Sequence, residues 1–311
     1  MRKFPSFTSV VKRITDSIGH KPLFVQGTAV PKADIPGMVS SAETAFYSES
    51  AARYFGREGA IVDLGCWLGS TSIALAQGIL SHGSQADNRN EKVIGFDTFQ
   101  WETWMPAHVP YCLYQAGDSF LPEARRVVRE HGGGRVELIQ ADLGLYEWSG
   151  GPIKILLVDA MKNEDLAMQI PRNFFPSLIP GSLLIHQDFK HYYTSWIHLL
   201  QYRLRQYFRF YRSVPWGTAA FELLAPIPRE AVHRATEFTM IPDDETDASF
   251  RHSLDFVESD ERANIAAAHV MHYVHLKRRE KAFQIVEHYR PGGMLDKGEF
   301  PTALSILSQA G

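Results

Sequence analysis

The chain has little cysteine, no long apolar run and no strong excess of one charge. It contains two cysteines, Cys66 and Cys112. These are too few for a disulfide framework or a zinc cluster, and they are typical of a reducing compartment. No apolar run approaches the roughly 20 residues that a membrane-spanning helix needs. The basic N-terminus lacks the continuous apolar core of a secretory signal. We therefore expect a cytoplasmic protein without a membrane span.

The size and charge of the chain limit its possible partners and its domain organisation. A net charge of −3 gives no general attraction to nucleic acid, so no nucleic-acid partner is expected. With 311 residues, 45% hydrophobic and 22% charged, the chain is long enough for one large α/β domain with smaller additions. Changes in pattern predict an N-terminal helical segment (1–58), a main domain (59–225) and a C-terminal helical appendage (226–311).

Strand-like and helix-like patterns alternate along the main domain. The predicted strands cover residues 60–64, 93–97, 135–140, 153–158, 182–187, 208–214 and 219–224. The last two runs are predicted to form an antiparallel hairpin, and Pro180-Gly181 is predicted to turn into the fifth strand. The pattern predicts a Rossmann-like α/β fold with a mostly parallel seven-stranded sheet and helical additions at both ends. In the appendage, an irregular link with Pro226, Pro228, Pro242 and the acidic run 243–245 is followed by helices at about 260–278 and 280–289.

The first predicted strand and the turn after it are the most informative part of the sequence. The strand contains Asp63 near its end, and the turn contains Gly65 and Gly69 before a helix that starts at Ser70 or Thr71. Backbone N–H groups at a helix start suit a carboxylate. The glycines let the backbone approach a ligand closely. Such a turn can hold a nucleoside-bearing cofactor at the edge of a parallel sheet.

Acidic residues near strand ends extend this site toward S-adenosylmethionine. Asp63 can order the turn and attract the cationic methionyl end of that cofactor. Asp97 ends the second predicted strand and can accept both ribose hydroxyl hydrogens, whereas Asp142 follows the third strand and is placed to meet the adenine amino edge. The alternative is a purely structural turn with solvated acids. NAD is disfavoured because the turn is Gly-x-x-x-Gly, with Trp67 where the dinucleotide fingerprint has its second glycine.

These motifs carry a family resemblance. The sequence from Val62 to Thr71, together with residues 95–99, resembles class I S-adenosylmethionine-dependent methyltransferases, and within them the macrocin O-methyltransferase-like group. The likeness covers about residues 43–224 and leaves out the C-terminal segment. It implies a seven-stranded methyltransferase sheet, S-adenosylmethionine as cofactor, and methylation of a hydroxyl on a glycan or secondary metabolite.

Acceptor chemistry is expected at the ends of the fourth and fifth strands. Asp159 follows the fourth strand, and Asp188 and His191 follow the fifth. In metal-dependent relatives, the resemblance implies that Asp159 and Asp188 bind Mg²⁺, which acidifies the acceptor hydroxyl. One acid of the family's pair after the fifth strand is Gln187 here, and two carboxylates bind Mg²⁺ less strongly than three.

Without a metal, a histidine is the better base because its ordinary pKa is near neutrality. His191 lies beyond the strand, where site residues collect, and can be either a base or a surface residue. Asp188 is our first choice for the chemistry, since it can ligate a cation or orient a histidine. His186 is expected in the core. The aromatic loop 98–105 is either a wall over the ligands or a hydrophobic plug.

Three functional hypotheses follow. The first is an S-adenosylmethionine-dependent O-methyltransferase acting on a small-molecule or glycan acceptor. The second is a non-catalytic Rossmann-like scaffold that binds a partner through its C-terminal helices, and the third, disfavoured, is an NAD-dependent oxidoreductase. The oligomeric state is left open, with a homodimer as one option. His269, His272 and His275 are interpreted as a partly buried helix face rather than a metal site.

Overall fold

The structure is a computed structural model that describes residues 35–83, 85, 90–109, 112, 114–239 and 241–309. Residues 1–34 of the expected N-terminal helical segment therefore lie outside the described residues. Its remainder contains helix α1 (Ser41–Tyr54). The helix begins at a capping box, in which the Ser40 hydroxyl accepts from the Glu43 N–H and the Glu43 carboxylate accepts from the Ser40 N–H.

The strands form one seven-stranded sheet in the order β3-β2-β1-β4-β5-β7-β6. Their bounds are β1 (Ala60–Leu64), β2 (Val93–Asp97), β3 (Val136–Gln140), β4 (Ile153–Val158), β5 (Leu178–His186), β6 (Phe208–Ser213) and β7 (Ala219–Leu223). The β2–β3 and β4–β5 pairs are parallel, whereas β7 pairs antiparallel with both β5 and β6. The predicted mostly parallel sheet with an antiparallel C-terminal hairpin is confirmed, and β7 lies between β5 and β6.

Helices connect the strands and make up most of the C-terminal region. Their bounds are α2 (Ser70–Leu80), α3 (Leu121–His131), α4 (Glu164–Phe174), α5 (Ser195–Arg203), α6 (Arg229–Ala235), α7 (Asp243–Leu254), α8 (Arg262–His275), α9 (Arg279–Tyr289) and α10 (Phe300–Gln309). Among the described helices, none is both long and apolar enough to cross a membrane.

Two local predictions were wrong. Pro180-Gly181 does not precede the fifth strand but lies within β5, where the pairing with β4 shifts register between Ile153 and Ile155. This irregularity allows the strand to contain Pro180 and also Gly181, whose φ is +86°. The acidic run at residues 243–245 is not an irregular link. It is the first turn of α7, where carboxylates are favoured by the helix dipole.

The chain divides into two compact units. The first extends to Gly56 and includes Asp63–Asp142, and the second comprises Arg57–Val62 and the chain from Leu143 onward. In the second unit, all of β4 is buried, as expected for a parallel strand covered on both faces. The domain bounds drawn from the sequence stay a prediction.

The C-terminal helices have a core of their own in the second unit. His269 is 2% exposed, stacks on Phe250 with ring centroids 4.3 Å apart, and hydrogen-bonds to Tyr289 and Asp247. Burial lowers the pKa of His269. The interpretation of this histidine as part of a buried helix face is confirmed.

Candidate functional site

The glycine turn after β1 belongs to the first unit and is fixed by its own backbone. Gly65 and Gly69 have φ angles of 87° and 94°, a region that side chains with a Cβ rarely adopt. The Gly65 N–H donates to the Phe96 carbonyl oxygen at 2.8 Å, which ties the turn to β2. A Cβ on Gly69 would lie 2.5 Å from Cγ1 of Val128. Glycine is therefore required at position 69 by both conformation and space.

The start of α2 presents backbone donors that no side chain in the described part of the protein caps. Gly69 is the N-cap residue and makes no side-chain capping hydrogen bond. The first N–H groups of a helix have no partner within the helix. They carry the positive end of its dipole. Ser70 and Thr71 lie in this first turn, so their amides suit a carboxylate ligand. The main chain at Gly37 packs against Ser70, because a Cβ on Gly37 would lie 2.4 Å from the Ser70 Oγ.

Asp63 lies beneath this turn and is fully buried. Its Oδ2 accepts from the hydroxyls of Thr71 at 2.7 Å and Ser72 at 2.5 Å. Its Oδ1 has no hydrogen-bond partner within the described part of the chain. Burial raises the pKa of Asp63 to about 6, although the two hydroxyl donors oppose this. Asp63 thus orders the turn, and its role toward a cofactor stays a prediction.

Asp97 at the end of β2 is the next acidic residue of the first unit. Its two carboxylate oxygens accept from the Trp67 N–H at 2.9 Å and from the Phe99 N–H at 2.8 Å. Burial raises the pKa of Asp97 despite these bonds. Each carboxylate oxygen can accept a further hydrogen bond, so the predicted ribose contact is compatible with this geometry. Asp142 is exposed just after β3, and its role toward adenine also stays a prediction.

The residues of the first unit fit a cofactor with a carboxylate and ribose hydroxyls. The fit rests on a helix start that no described side chain caps and on a glycine position that a Cβ would fill. It rests also on the buried Oδ1 of Asp63, which has no hydrogen-bond partner among the described residues. The following loop packs inward. Phe99 and Trp101 are 0% and 2% exposed and belong to an apolar cluster with Phe120. This inward packing agrees with the hydrophobic plug, one of the two alternatives predicted for the loop.

In the second unit, the strand-end carboxylates meet around a lysine. Lys162 Nζ lies 2.6 Å from Asp159 Oδ1 and also donates to Asp188 Oδ2. Burial alone would lower the pKa of Lys162, but the two carboxylates outweigh it and hold that pKa well above its usual range. Burial alone would raise the pKa of Asp188, but Lys162 and His191 outweigh it and lower that pKa. The group is therefore an ammonium between two carboxylates.

This arrangement does not fit the magnesium site implied by the resemblance. The Lys162 ammonium lies where a cation bound by Asp159 and Asp188 would be, and it already offsets one of their two negative charges. Within the described ranges, no group of three or more histidine, cysteine, aspartate or glutamate side chains is arranged to hold a metal ion. The expectation of Mg²⁺ at Asp159 and Asp188 is not supported. Lys162 was not predicted as a site residue, although it lies only three residues after Asp159 in the sequence.

His191 lies on the loop between β5 and α5, close to the same group. Its Nδ1 is 2.8 Å from Glu299 Oε1 and its Nε2 is 3.7 Å from Asp188 Oδ1. The ring stacks on Tyr193 with centroids 5.3 Å apart, and the Tyr193 hydroxyl donates to Asp188 at 3.3 Å. Burial alone would lower the pKa of His191, but Glu299 and Asp188 outweigh it and raise that pKa.

The predicted acceptor residues of the second unit are thus brought together. Asp159 and Asp188 both contact Lys162, and His191 lies next to Asp188. Glu299 was missed because it is 108 residues away from His191, in a segment with no motif. His186, expected in the core, is fully buried, and its Nε2 is 2.8 Å from Gln201 Nε2. Burial lowers the pKa of His186 to about 3.

Comparisons with known proteins give matches in structure only. No protein-family model and no curated protein sequence matches the chain. The O-methyltransferase NovP is 16% identical with a TM-score of 0.49, and the match covers 62% of this chain and 84% of that one. CalS11, a TDP-rhamnose 3'-O-methyltransferase of calicheamicin biosynthesis, is 14% identical with a TM-score of 0.42, covering 71% and 96%. An rRNA methylase from Streptococcus thermophilus is 15% identical with a TM-score of 0.38, covering 60% and 99%.

The sheet itself defines the fold class. Its order, with β7 antiparallel between β5 and β6, is that of the seven-stranded methyltransferase sheet expected from the sequence. The chain therefore has the class I methyltransferase fold.

Proposed function

We propose that the protein is an S-adenosylmethionine-dependent methyltransferase that methylates a hydroxyl on a glycan or another small molecule. The observation that carries the proposal is the glycine turn of the first unit. There an uncapped helix start lies beside a buried carboxylate whose Oδ1 has no hydrogen-bond partner within the described part of the chain. This combination suits the zwitterionic methionyl end of the cofactor, because amides favour its carboxylate and Asp63 favours its ammonium.

The proposal gives each predicted donor residue a separate role. Amides of Ser70 and Thr71 bind the carboxylate, whereas Gly69, whose own N–H donates to the Cys66 carbonyl oxygen at 2.7 Å, holds the turn in place. Asp97 accepts the ribose hydroxyl hydrogens through the lone pairs that its two backbone donors leave open. Asp142 contacts the adenine amino group. Gly65 keeps the turn open to close approach of the ligand.

Proton removal is assigned to His191. When bound, S-adenosylmethionine supplies a methyl group on a sulfonium, so the acceptor oxygen forms a C–O bond as the C–S bond breaks. The acceptor proton passes to Nε2 of His191. The His191 side chain is 27% exposed, whereas that of Asp188 is 5% exposed and engaged by Lys162. Since its lowered pKa also makes Asp188 a weak base, Asp188 orients Lys162 and His191 and does not take the proton itself.

Lys162 has a role of its own in the proposal. Its side chain is 32% exposed and its charge is held by two carboxylates. An ammonium at this place stabilises the negative charge that develops on the acceptor oxygen as its proton leaves. The proposed reaction therefore needs no metal ion for this step.

Transfer of a labelled methyl group tests the proposal. The purified full chain is incubated with methyl-labelled S-adenosylmethionine and a panel of sugar, sugar-nucleotide and phenolic acceptors, with and without a chelator. We expect chelator-resistant labelling of at least one hydroxyl acceptor. We expect it to be lost in His191→Ala and Asp188→Ala and kept in the exposed control Asp260→Asn. Wild-type protein that binds S-adenosylmethionine but labels no acceptor at any pH would instead favour the partner-binding scaffold.

A further inference from the structure

We infer that the C-terminal helical segment completes the acceptor site, with Glu299 as the positioning residue that fixes the ring tautomer of His191. The inference deepens the proposed function and rests on it only for the role of His191 as base. It assigns a task to a segment that lies outside the family resemblance. All the residues concerned belong to the second unit.

The contact between Glu299 and the loop after β5 has two parts. Glu299 Oε1 lies 2.8 Å from His191 Nδ1, and Oε2 accepts from the Tyr192 N–H at 2.7 Å. An ionised carboxylate can only accept, so it requires the proton on Nδ1. The lone pair of a neutral ring is then on Nε2, the nitrogen that lies 3.7 Å from Asp188 Oδ1. This is the tautomer that a base acting through Nε2 needs.

The main chain around Glu299 is built to hold this side chain in place. The Glu299 N–H donates to the Asn264 Oδ1 of α8 at 2.8 Å. The preceding residue is Gly298 with φ of +51°, and a Cβ there would lie 2.0 Å from the same Asn264 oxygen. The close approach of Asn264 therefore depends on a glycine at position 298. The two residues together fix the direction in which Glu299 leaves the backbone.

A second contact joins the same loop to the C-terminal segment. Lys190 Nζ donates to Glu261 Oε1 at 2.6 Å and to the Val214 carbonyl oxygen at 2.7 Å, and its side chain is 0% exposed. Glu261 directly precedes α8. The loop that carries Asp188 and His191 is thus held by two acidic residues of the C-terminal segment, one of which contacts the imidazole itself.

The charged and titratable groups facing His191 come from several elements. They are Glu299 before α10, Asp188 and Tyr193 on its own loop, and Lys162 in the loop after β4. Lys162 opposes protonation of the ring, whereas the two carboxylates favour it. Replacing the Glu299 carboxylate by a neutral amide should therefore lower the pKa of His191.

Glu299→Gln is the variant that tests the positioning role. A glutamine can keep the Tyr192 bond with its carbonyl oxygen and direct its NH₂ group at Nδ1, which moves the ring proton to Nε2. We expect kcat to fall by at least about 100-fold, the lower range for loss of a general base. The acid limb of the kcat profile should also move to lower pH. The affinity for S-adenosylmethionine should change by less than about twofold, since an interaction that acts only in the chemical step does not contribute to binding of the cofactor.

The tautomer is measured directly by long-range ¹H–¹⁵N correlation spectra of the full chain labelled at histidine, with His191→Gln to assign the signals. We expect Nδ1–H in the wild type and Nε2–H in Glu299→Gln. Glu287→Gln is the matched control, because it removes an exposed carboxylate of the same segment that pairs with the neighbouring Arg290. Asn264→Ala, which loosens Glu299 without changing charge, should give a smaller loss of kcat and keep the pH profile.

The spectra need no acceptor, so they separate the two proposals. Unchanged His191 signals in Glu299→Gln would overturn the inference whether or not methyl transfer is found. A lower melting temperature with kcat and pH profile unmoved would mean that Glu299 only fastens the helices, which also overturns it. A tautomer change in a protein that methylates nothing would keep the contact but remove the catalytic purpose assigned to it.

Discussion

Replacing Asp63 by asparagine should change how the free energy of unfolding depends on pH, because Asp63 is buried beneath the glycine turn. Burial raises the pKa of Asp63 from 3.8 to about 6. A tenfold change in acid dissociation corresponds to about 1.4 kcal/mol, so the ionised carboxylate costs the fold about 3 kcal/mol. A carboxyl group whose pKa is raised on folding stabilises the protein below its unfolded pKa, and this contribution is lost as the pH rises through the folded value. The relevant window therefore runs from about pH 4 to pH 6.

Asparagine removes this pH-dependent cost and keeps the shape. Its carbonyl oxygen can still accept from Thr71 and Ser72, but its NH₂ group stands where Oδ1 has no partner in the described part of the chain. A buried donor without a partner costs about 1–3 kcal/mol. We expect Asp63→Asn to be less stable than the wild type by about that amount at pH 4. At pH 8 the variant avoids the cost of about 3 kcal/mol that the ionised carboxylate imposes on the wild type. It should therefore be as stable as the wild type, or up to about 2 kcal/mol more stable.

Urea unfolding of both proteins between pH 4 and pH 8 measures the difference, with Asp260→Asn as a control for the loss of one exposed charge. A stability difference that stays constant across this range would refute the reasoning on Asp63. Binding of S-adenosylmethionine at pH 8 adds a functional readout. We expect weaker binding by the variant, since the carboxylate that would attract the ammonium is gone although the fold is not weakened.

Three further substitutions test other parts of the account. Gly69→Ala puts a Cβ 2.5 Å from Val128 Cγ1 at a φ of +94°; we expect a lower melting temperature and weaker S-adenosylmethionine binding, and wild-type values for both would contradict the role of the turn. Lys162→Met leaves two adjacent carboxylates without their ammonium; kcat should fall by at least about 100-fold while cofactor affinity is kept, and added Mg²⁺ that restored wild-type activity would favour a metal-dependent mechanism. Lys190→Met leaves Glu261 without its buried partner. Urea unfolding should show that the free energy of unfolding falls by about 3 kcal/mol, near the lower end for a broken buried pair. A decrease of less than about 1 kcal/mol would show that the contact contributes little.

Local sequence patterns predicted the sheet and the glycine turn because both depend on neighbouring residues. A buried apolar run such as β4 and a positive-φ glycine such as Gly69 leave a signal within a few positions. The continuation of β5 through Pro180-Gly181 was missed because pairing with β4 tolerates an irregularity that breaker residues alone would exclude. Tertiary pairing decided that boundary.

The acceptor site was predicted only in part for a different reason. Strand-end geometry brought Asp159 and Asp188 together, but the sequence did not show which cation lies between them. Lys162 is near in sequence and was overlooked. Glu299 could not be found from pattern, because its contact with His191 spans 108 residues and depends on how the C-terminal helices fold back.

Isothermal titration of the full chain with S-adenosylmethionine, and separately with NAD, tests the central claim most directly. The account predicts one site for S-adenosylmethionine, weakened at least about tenfold in Asp97→Asn through loss of a charged hydrogen-bond acceptor, and no heat of binding for NAD. Absence of S-adenosylmethionine binding, or tighter binding of NAD, would contradict it.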